Sequence, residues 1–276
     1  KQNKDKLGIA HRNQQDEFIL LNGNQTAVLL IHYILSQYKA KNKYKGNEYI
    51  IKTIVTTDLM DKIAESYNVK CYNVLTGFKY FAELIKELEG KEKYIGGGEE
   101  SYGFLPGDYV RDKDAVASCA LFAEMAAFAK ENGKTLFDQL TDIYLEYGLY
   151  KERLIFFFFF CAEGAGEIKA MMAGYRSNPP KVINNSPVVK MNDYSTLVST
   201  NCLTGETGKI ELAKSDVIQF FLHDGSKISV RPSGTEPKIK FYFSVNAPLV
   251  SADRLEATEK MLEERISGII ADMKLA

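Results

Sequence analysis

The sequence predicts an α/β protein: a layered α/β domain with a mixed sheet, followed by a smaller α+β domain whose antiparallel sheet is packed by helices. Three observations carry this. Up to about residue 148, short apolar runs alternate with segments of helical periodicity, the rhythm of strands layered against helices. Beyond that point strand-like runs cluster together and a long amphipathic segment closes the chain. At 276 residues the chain also exceeds the length at which one core usually splits. The expected domains are 1–148 and 149–276.

In the first domain, residues 7–10 read as a strand, 26–38 as a helix, 49–56 as a strand, 58–67 as a helix, 70–74 as a strand, 78–88 as a helix and 93–95 as a strand. Two helices close it. The one over 114–130 aligns Ala115, Cys119, Phe122, Met125 and Ala129, has Asp112 or Asp114 as its cap and stops at Gly133. The one over 136–147 follows a Thr135 cap.

In the second domain, a strand over 152–160 precedes a helix over 166–175, which Ser177-Asn178-Pro179-Pro180 halts. Strands follow near 217–222, 227–230 and 239–245, with His223-Asp224-Gly225-Ser226 as a hairpin turn. Ile239, Phe241, Phe243 and Val245 alternate onto one face, and the last helix carries Leu255, Leu262, Ile266, Ile269 and Met273. Five consecutive phenylalanines at 156–160 read as a doubly buried strand, ahead of an exposed partner surface or a damaged stretch of sequence.

Charge narrows the function. With 35 basic and 36 acidic residues the balance argues against a nucleic-acid or membrane surface, while a local basic pocket for small anions stays open. Four cysteines without Cys-x-x-Cys spacing and only three histidines give no zinc pattern, so free thiols in a reducing compartment are expected. No apolar run reaches the ~20 residues of a membrane span, and the start is polar rather than a signal peptide. A cytoplasmic protein is expected.

Chemistry concentrates in four short segments. Arg231-Pro232-Ser233-Gly234-Thr235-Glu236-Pro237-Lys238 packs a forked cation, two hydroxyls and a glycine into one turn. Arg231 can hold two phosphoryl oxygens, Ser233 and Thr235 can donate hydroxyl hydrogen bonds, and Gly234 lets backbone N–H groups converge on an anion. A hairpin turn with a solvated Arg fits the same residues. Gly96-Gly97-Gly98-Glu99-Glu100-Ser101-Tyr102-Gly103 reads as a glycine-rich loop in which Glu99 and Ser101 meet vicinal sugar hydroxyls, or as a flexible surface loop. Arg111-Asp112-Lys113-Asp114 offers helix caps plus a lysine able to reach an anion. Thr76-Gly77-Phe78-Lys79 is a strand-to-helix turn that either punctuates or rims a site, with Lys79 as its basic residue.

In order and company these four segments resemble the C-terminal half of the α-D-phosphohexomutases, the phosphoglucomutase/phosphomannomutase family, over residues 7–276. That family has a Thr-Gly-Phe-Lys turn, a Gly-Glu-x-Ser sugar loop, an Arg-x-Lys-Asp segment and an Arg-x-Ser-Gly-Thr-Glu-Pro phosphate loop in this sequence. The strings Gly-Glu-Glu-Ser-Tyr-Gly and Arg-Pro-Ser-Gly-Thr-Glu-Pro-Lys-Ile-Lys look most like its phosphoglucomutase-type branch. The resemblance implies the third and fourth domains of an intramolecular phosphotransferase, an isomerase. Its phosphoserine passes a phosphoryl group to a sugar 1- or 6-phosphate and recovers it through a sugar bisphosphate.

The implied roles are residue by residue. Glu99, Ser101, Lys79, Arg111 and Lys113 bind the sugar end, with Lys113 a possible catalytic auxiliary, and Arg231, Ser233, Gly234 and Thr235 hold the phosphate that is not reacting. The phosphoserine loop is absent here, because no serine precedes His11, His32 or His223. The N-terminal domains are therefore missing partners, and the fragment alone is expected to be inactive. The family's magnesium loop, Asp-x-Asp-x-Asp-Arg, falls on Lys1-Gln2-Asn3-Lys4-Asp5-Lys6, where only Asp5 survives. Mg2+ is expected in the full-length enzyme, without tight binding by this chain. Glucose phosphates are the expected substrates; phosphomannomutase or phosphopentomutase specificity, or a noncatalytic phosphosugar-binding protein, are the alternatives.

Overall fold

The computed structural model describes residues 5–12, 17–159, 164–234 and 236–275. They fall into two units, one running to Gly148 with Pro248–Ala252 added, the other comprising Leu149–Ala247 and the residues from Asp253 onward.

The first unit opens with a ribbon in which β1 (Ile9–Arg12) pairs antiparallel with β2 (Phe18–Leu21). The strand expected at 7–10 is thus displaced and stands apart from the main sheet. Leu7 is buried and its N–H is taken by the Tyr102 carbonyl at 3.0 Å, so the chain there packs rather than pairs. α1 (Gly23–Ala40) starts at a capping box, with the Asn22 side chain accepting from the Gln25 N–H at 2.9 Å and Gln25 reaching back at 3.0 Å.

β3 (Glu48–Thr53), α2 (Leu59–Ser66), β4 (Lys70–Val74), α3 (Phe78–Glu87), β5 (Lys93–Gly98) and β6 (Phe104–Leu105) follow. The sheet order is β4-β3-β5-β6, parallel across β4, β3 and β5 and antiparallel from β5 to β6. This is the expected mixed sheet. Every residue of β3 is buried, as befits a central strand covered on both faces. Tyr49, Ile51, Phe78, Phe81, Ile85, Tyr94 and Leu105 share one core cluster against α3.

β5 corrects the sequence reading, because Gly96, Gly97 and Gly98 lie inside the strand rather than in a loop. Their bare backbones admit neighbours, not ligand. A Cβ on Gly97 would stand 2.2 Å from the Ile51 carbonyl oxygen, and one on Gly98 would stand 2.8 Å from Phe104 Cδ2. α4 (Ala115–Glu131) and α5 (Leu136–Tyr147) close the unit with the expected caps. Asp114 accepts from the Ala117 N–H at 3.0 Å, and Thr135 forms a capping box with Asp138. The buried stripe of α4 is offset from expectation: Ser118, not Cys119, turns inward beside Phe122, Met125 and Ala129. Its hydroxyl can do so because it donates to the Asp114 carbonyl at 2.5 Å.

The second unit is an eight-stranded antiparallel sheet among the described residues. Its elements are β7 (Leu149–Phe158), α6 (Gly164–Ser177), β8 (Val182–Ile183), β9 (Ser186–Asp193), β10 (Val198–Asn201), β11 (Thr207–Lys209), β12 (Ile218–Leu222), β13 (Lys227–Pro232), β14 (Lys238–Ala247) and α7 (Leu255–Asp272). The order is β11-β10-β9-β12-β13-β14-β7, with β8 added to β9. Ile239, Phe241, Phe243 and Val245 are buried on one face as expected, and α7 buries Leu262, Ile266, Ile269 and Ile270. The other face carries a buried polar network: Gln219 donates to Ser229 at 2.8 Å and accepts from Tyr194 at 2.6 Å.

The phenylalanine run is not doubly buried. β7 is the edge strand, pairing with β14, and Phe156 and Phe158 are 52% and 44% exposed. Strand alternation sends Phe157 onto Phe241 and leaves its two neighbours on the open face. Phe160 lies outside the described residues.

Candidate functional site

In the first unit, three of the four segments converge at the C-terminal end of β5. The Glu99 N–H bonds the Gly103 carbonyl at 2.8 Å, closing a tight loop whose Tyr102 has φ of 71°, the left-handed region. Gly23, at the start of α1, presses on this loop: a Cβ there would stand 2.0 Å from the Glu100 carbonyl oxygen. Behind the loop, the Glu100 carboxylate accepts from the Thr53 and Thr56 hydroxyls at 3.3 Å each. Burial, and then the charge of Glu99, push the Glu100 pKa up.

Glu99 itself is buried, and its Oε1 accepts from the Gly77 N–H at 2.7 Å. Gly77 has φ of 118° and directly precedes α3, so this carboxylate faces a helix N-terminus, where negative charge is favoured. Ser101 Oγ donates to Glu99 Oε2 at 3.4 Å. Gly103 is the meeting point: a Cβ there would stand 2.8 Å from Phe78, 3.2 Å from the Lys113 side chain and 3.4 Å from Glu99 Oε2. The Lys113 ammonium lies 5.4 Å from the Phe78 ring centroid and 3.2 Å from Asp112. Its backbone is anchored next door, where Asp114 both caps α4 and donates its N–H to Phe104.

A buried cation supports the floor of this loop. Lys52, 1% exposed, pairs with Asp58 at 2.8 Å and Asp61 at 3.0 Å. Burial alone would lower its pKa, but the two carboxylates outweigh that and raise it.

Two expected site residues diverge from this cluster. Lys79 is exposed, with its ammonium 4.5 Å from the Tyr80 ring centroid. Arg111 bonds the Asp108 carbonyl at 3.0 Å and Glu89 at 3.2 Å, beyond the C-terminal end of α3. Glu89 and Gly77 thus mark opposite ends of a ten-residue helix, about 15 Å long.

In the second unit, the phosphate-like turn joins β13 to β14. Arg231 and Pro232 are still strand residues, opposite Lys240 and Ile239, and the Ser233 N–H bonds the Lys238 carbonyl at 2.8 Å. Gly234 is exposed, its φ lies outside the left-handed region, and a Cβ there would meet nothing within 4 Å. Neither strain nor packing demands that glycine. The turn's acid is occupied: Lys238 pairs with Glu236 and holds its carboxyl below the usual range. Thr235 lies outside the described residues.

Lys240 escaped the sequence reading. It shares a face with Arg231 and stands directly across from it. Strand alternation from Ile239 would have found it, since Lys240 must point away from the buried Phe241 face.

Asp5 is exposed, and among the described residues no three His, Cys, Asp or Glu side chains are placed to hold a metal ion. One carboxylate alone does not make a divalent-cation site. Among the described residues no helix is long and apolar enough to cross a membrane.

Residues 22–147 match the family model described as phosphoglucomutase/phosphomannomutase, alpha/beta/alpha domain III. The chain is 38% identical over 244 residues to a phosphoglucomutase of Staphylococcus aureus strain N315, covering 88% of this chain and 43% of that protein. It is 36% identical over 242 residues to one from Staphylococcus epidermidis, with 88% and 43% coverage. The chain therefore spans less than half the length of the curated relatives it matches. Its fold is similar to that of the exocytosis-sensitive phosphoprotein pp63/parafusin, a phosphoglucomutase from Paramecium solved in an open form, with a TM-score of 0.61, 18% identity, and coverage of 98% of this chain and 44% of that one.

Proposed function

Because the chain belongs to the phosphoglucomutase/phosphomannomutase family, we propose that it is the substrate-binding half of a phosphoglucomutase-like enzyme. The reaction is the interconversion of glucose 1-phosphate and glucose 6-phosphate through a phosphoserine and a bisphosphate intermediate, the serine being supplied from outside these 276 residues. The observation that carries the reading is the 2.7 Å hydrogen bond from the Gly77 N–H to Glu99. It fixes one carboxylate oxygen and aims the group at whatever occupies the space beside Ser101, Gly103 and Lys113.

In this reading Glu99 and Ser101 grip sugar hydroxyls, since a fixed acceptor beside a hydroxyl suits a vicinal diol. Lys113 adds positive charge near the reacting phosphoryl group. Arg231, Ser233, Gly234 and Thr235, joined by Lys240, hold the phosphate that is not reacting. Phosphoryl transfer asks mainly for position and charge stabilisation, so binding groups of this kind supply much of the catalysis. Lys79 and Arg111 belong to the proposed sugar rim only if they swing from Tyr80 and Glu89 when ligand arrives.

Calorimetric titration of the full-length protein with glucose 1,6-bisphosphate tests this. Arg231→Ala should weaken binding at least about tenfold, as loss of a charge-assisted bidentate contact does. Glu99→Ala should weaken the bisphosphate but spare inorganic phosphate. Unchanged bisphosphate affinity in both variants would overturn the reading.

A further inference from the structure

We propose that the first unit contains a second anion site, for a small phosphorylated ligand, in the cavity at the N-terminal end of its parallel strands. This cavity of about 480 Å³ is within the roughly 300–1,000 Å³ of small-molecule sites. Glu48 of β3 and Lys93 of β5, which are register partners, mark its floor. Glu99 follows the other end of β5, so six strand residues, about 17 Å, separate the cavity from the sugar loop.

The charge within the cavity is uneven in a way that favours an anion. Each carboxylate on its wall is already engaged. Glu48 accepts the Lys45 and Gly46 N–H groups at 2.9 and 3.0 Å, Glu89 pairs with Arg111, Glu92 with Lys70, and Asp108 with Lys93. Lys43, Lys45 and Lys91, which line the same space and are exposed, make no ion pair among the described residues. These lysines come from two loops that are tied together. Asn47 donates its side-chain amide to the Lys91 carbonyl at 3.3 Å, and its own carbonyl accepts the Lys93 N–H at 2.9 Å. Three lysines without an ion-pair partner on adjoining loops outnumber Glu48, the one wall carboxylate that only backbone N–H groups engage; over a wall that includes Ile85 and Tyr49 they suit a phosphate ester whose phosphate meets lysines while its body lies on the apolar side. Exposed ammoniums give modest, salt-sensitive affinity, which fits a ligand sensed at high concentration rather than one held tightly.

The experiment titrates inorganic pyrophosphate into the Arg231→Ala form of this chain, which lacks the hairpin's cation, and reads backbone amide shifts. Saturable shifts at residues 43–47 and 89–93, weakened about tenfold or more by adding Lys43→Ala, Lys45→Ala and Lys91→Ala and weakened by salt, are the expected result. These are surface positions, and an unchanged thermal melt confirms that the variants are folded. No saturable shift at those residues up to ~10 mM, a concentration that would reveal even millimolar binding, overturns the proposal. So do shifts indifferent to the three lysines. Because the readout is confined to residues 43–47 and 89–93, outside the hairpin, either failure leaves the phosphate-turn reading intact.

Discussion

The Glu99 loop and the Arg231 turn are both polar, both contain glycine and both follow a strand, yet they are built in opposite ways. The first is clamped from several sides: by α1 through Gly23, by the hydroxyls of Thr53 at the end of β3 and Thr56 just beyond it on Glu100, by the Gly77 turn before α3, and by its own Glu99–Gly103 closure. The second is a hairpin tip with an exposed Gly234 and a like-charge pair across its strands. In the proposed function the contrast matches the two interactions these segments would make. Hydrogen bonds to hydroxyls are directional and fail with small displacements, so their donors and acceptors must be set in advance. A doubly charged phosphate attracts cations over a longer range and tolerates a looser cradle.

That contrast is most severely tested at its glycines. Gly23→Ala should lower unfolding free energy by about 3 kcal/mol or more, because a Cβ would meet a backbone carbonyl that cannot swing aside. Gly234→Ala should stay within about 0.5 kcal/mol of the parent. Urea titration of both variants measures the difference, and equal losses would abolish the distinction between clamped and open loops. Next in size, Asp114→Ala removes the cap that holds the Lys113 segment and should cost about 1 kcal/mol, with Asp114→Asn recovering most of it in the same titration.

The pH response sharpens the picture of the clamped loop. Glu100 titrates above its ordinary 4.5 in the folded protein, so the native state holds its proton longer than the unfolded chain does. Its contribution to stability is present below pH 4.5 and is lost as pH rises through the folded value. Glu100→Gln should therefore flatten the stability–pH curve just above pH 4.5, and a curve parallel to the parent's would show that the carboxyl is not enclosed as described. The smallest effect belongs to the open turn. Arg231→Gln should stay within about 0.5 kcal/mol of the parent in the same urea titration, and a larger loss would show that the guanidinium is part of the packed structure.

Much of this arrangement could be read in advance from local rules. The caps at Asp114 and Thr135, the Gly225 hairpin turn and the buried alternation from Ile239 to Val245 each follow from neighbours a few residues apart. The glycines of β5 could not be read this way, because what requires them, the Ile51 carbonyl and the Phe104 ring, comes from other strands. The same limit explains Phe156 and Phe158. Composition alone suggested burial, but only strand order places β7 at an edge.

The sequence by itself determined which chemical groups are present and in what order: the forked cation of Arg231, the paired Glu99 and Ser101, the Lys113 segment and the Gly77 turn. Their spacing along the chain also set the local elements that carry them, because turns, caps and periodicity depend on short-range sterics and hydrogen bonding. Only the tertiary structure decided that Gly77, Glu99 and Lys113 gather around Gly103 while Arg111 turns to Glu89, and that Lys240 stands across from Arg231. Those meetings join residues tens of positions apart or on facing strands, and they are set by which surfaces bury together and which strands pair, neither of which any short stretch of sequence contains.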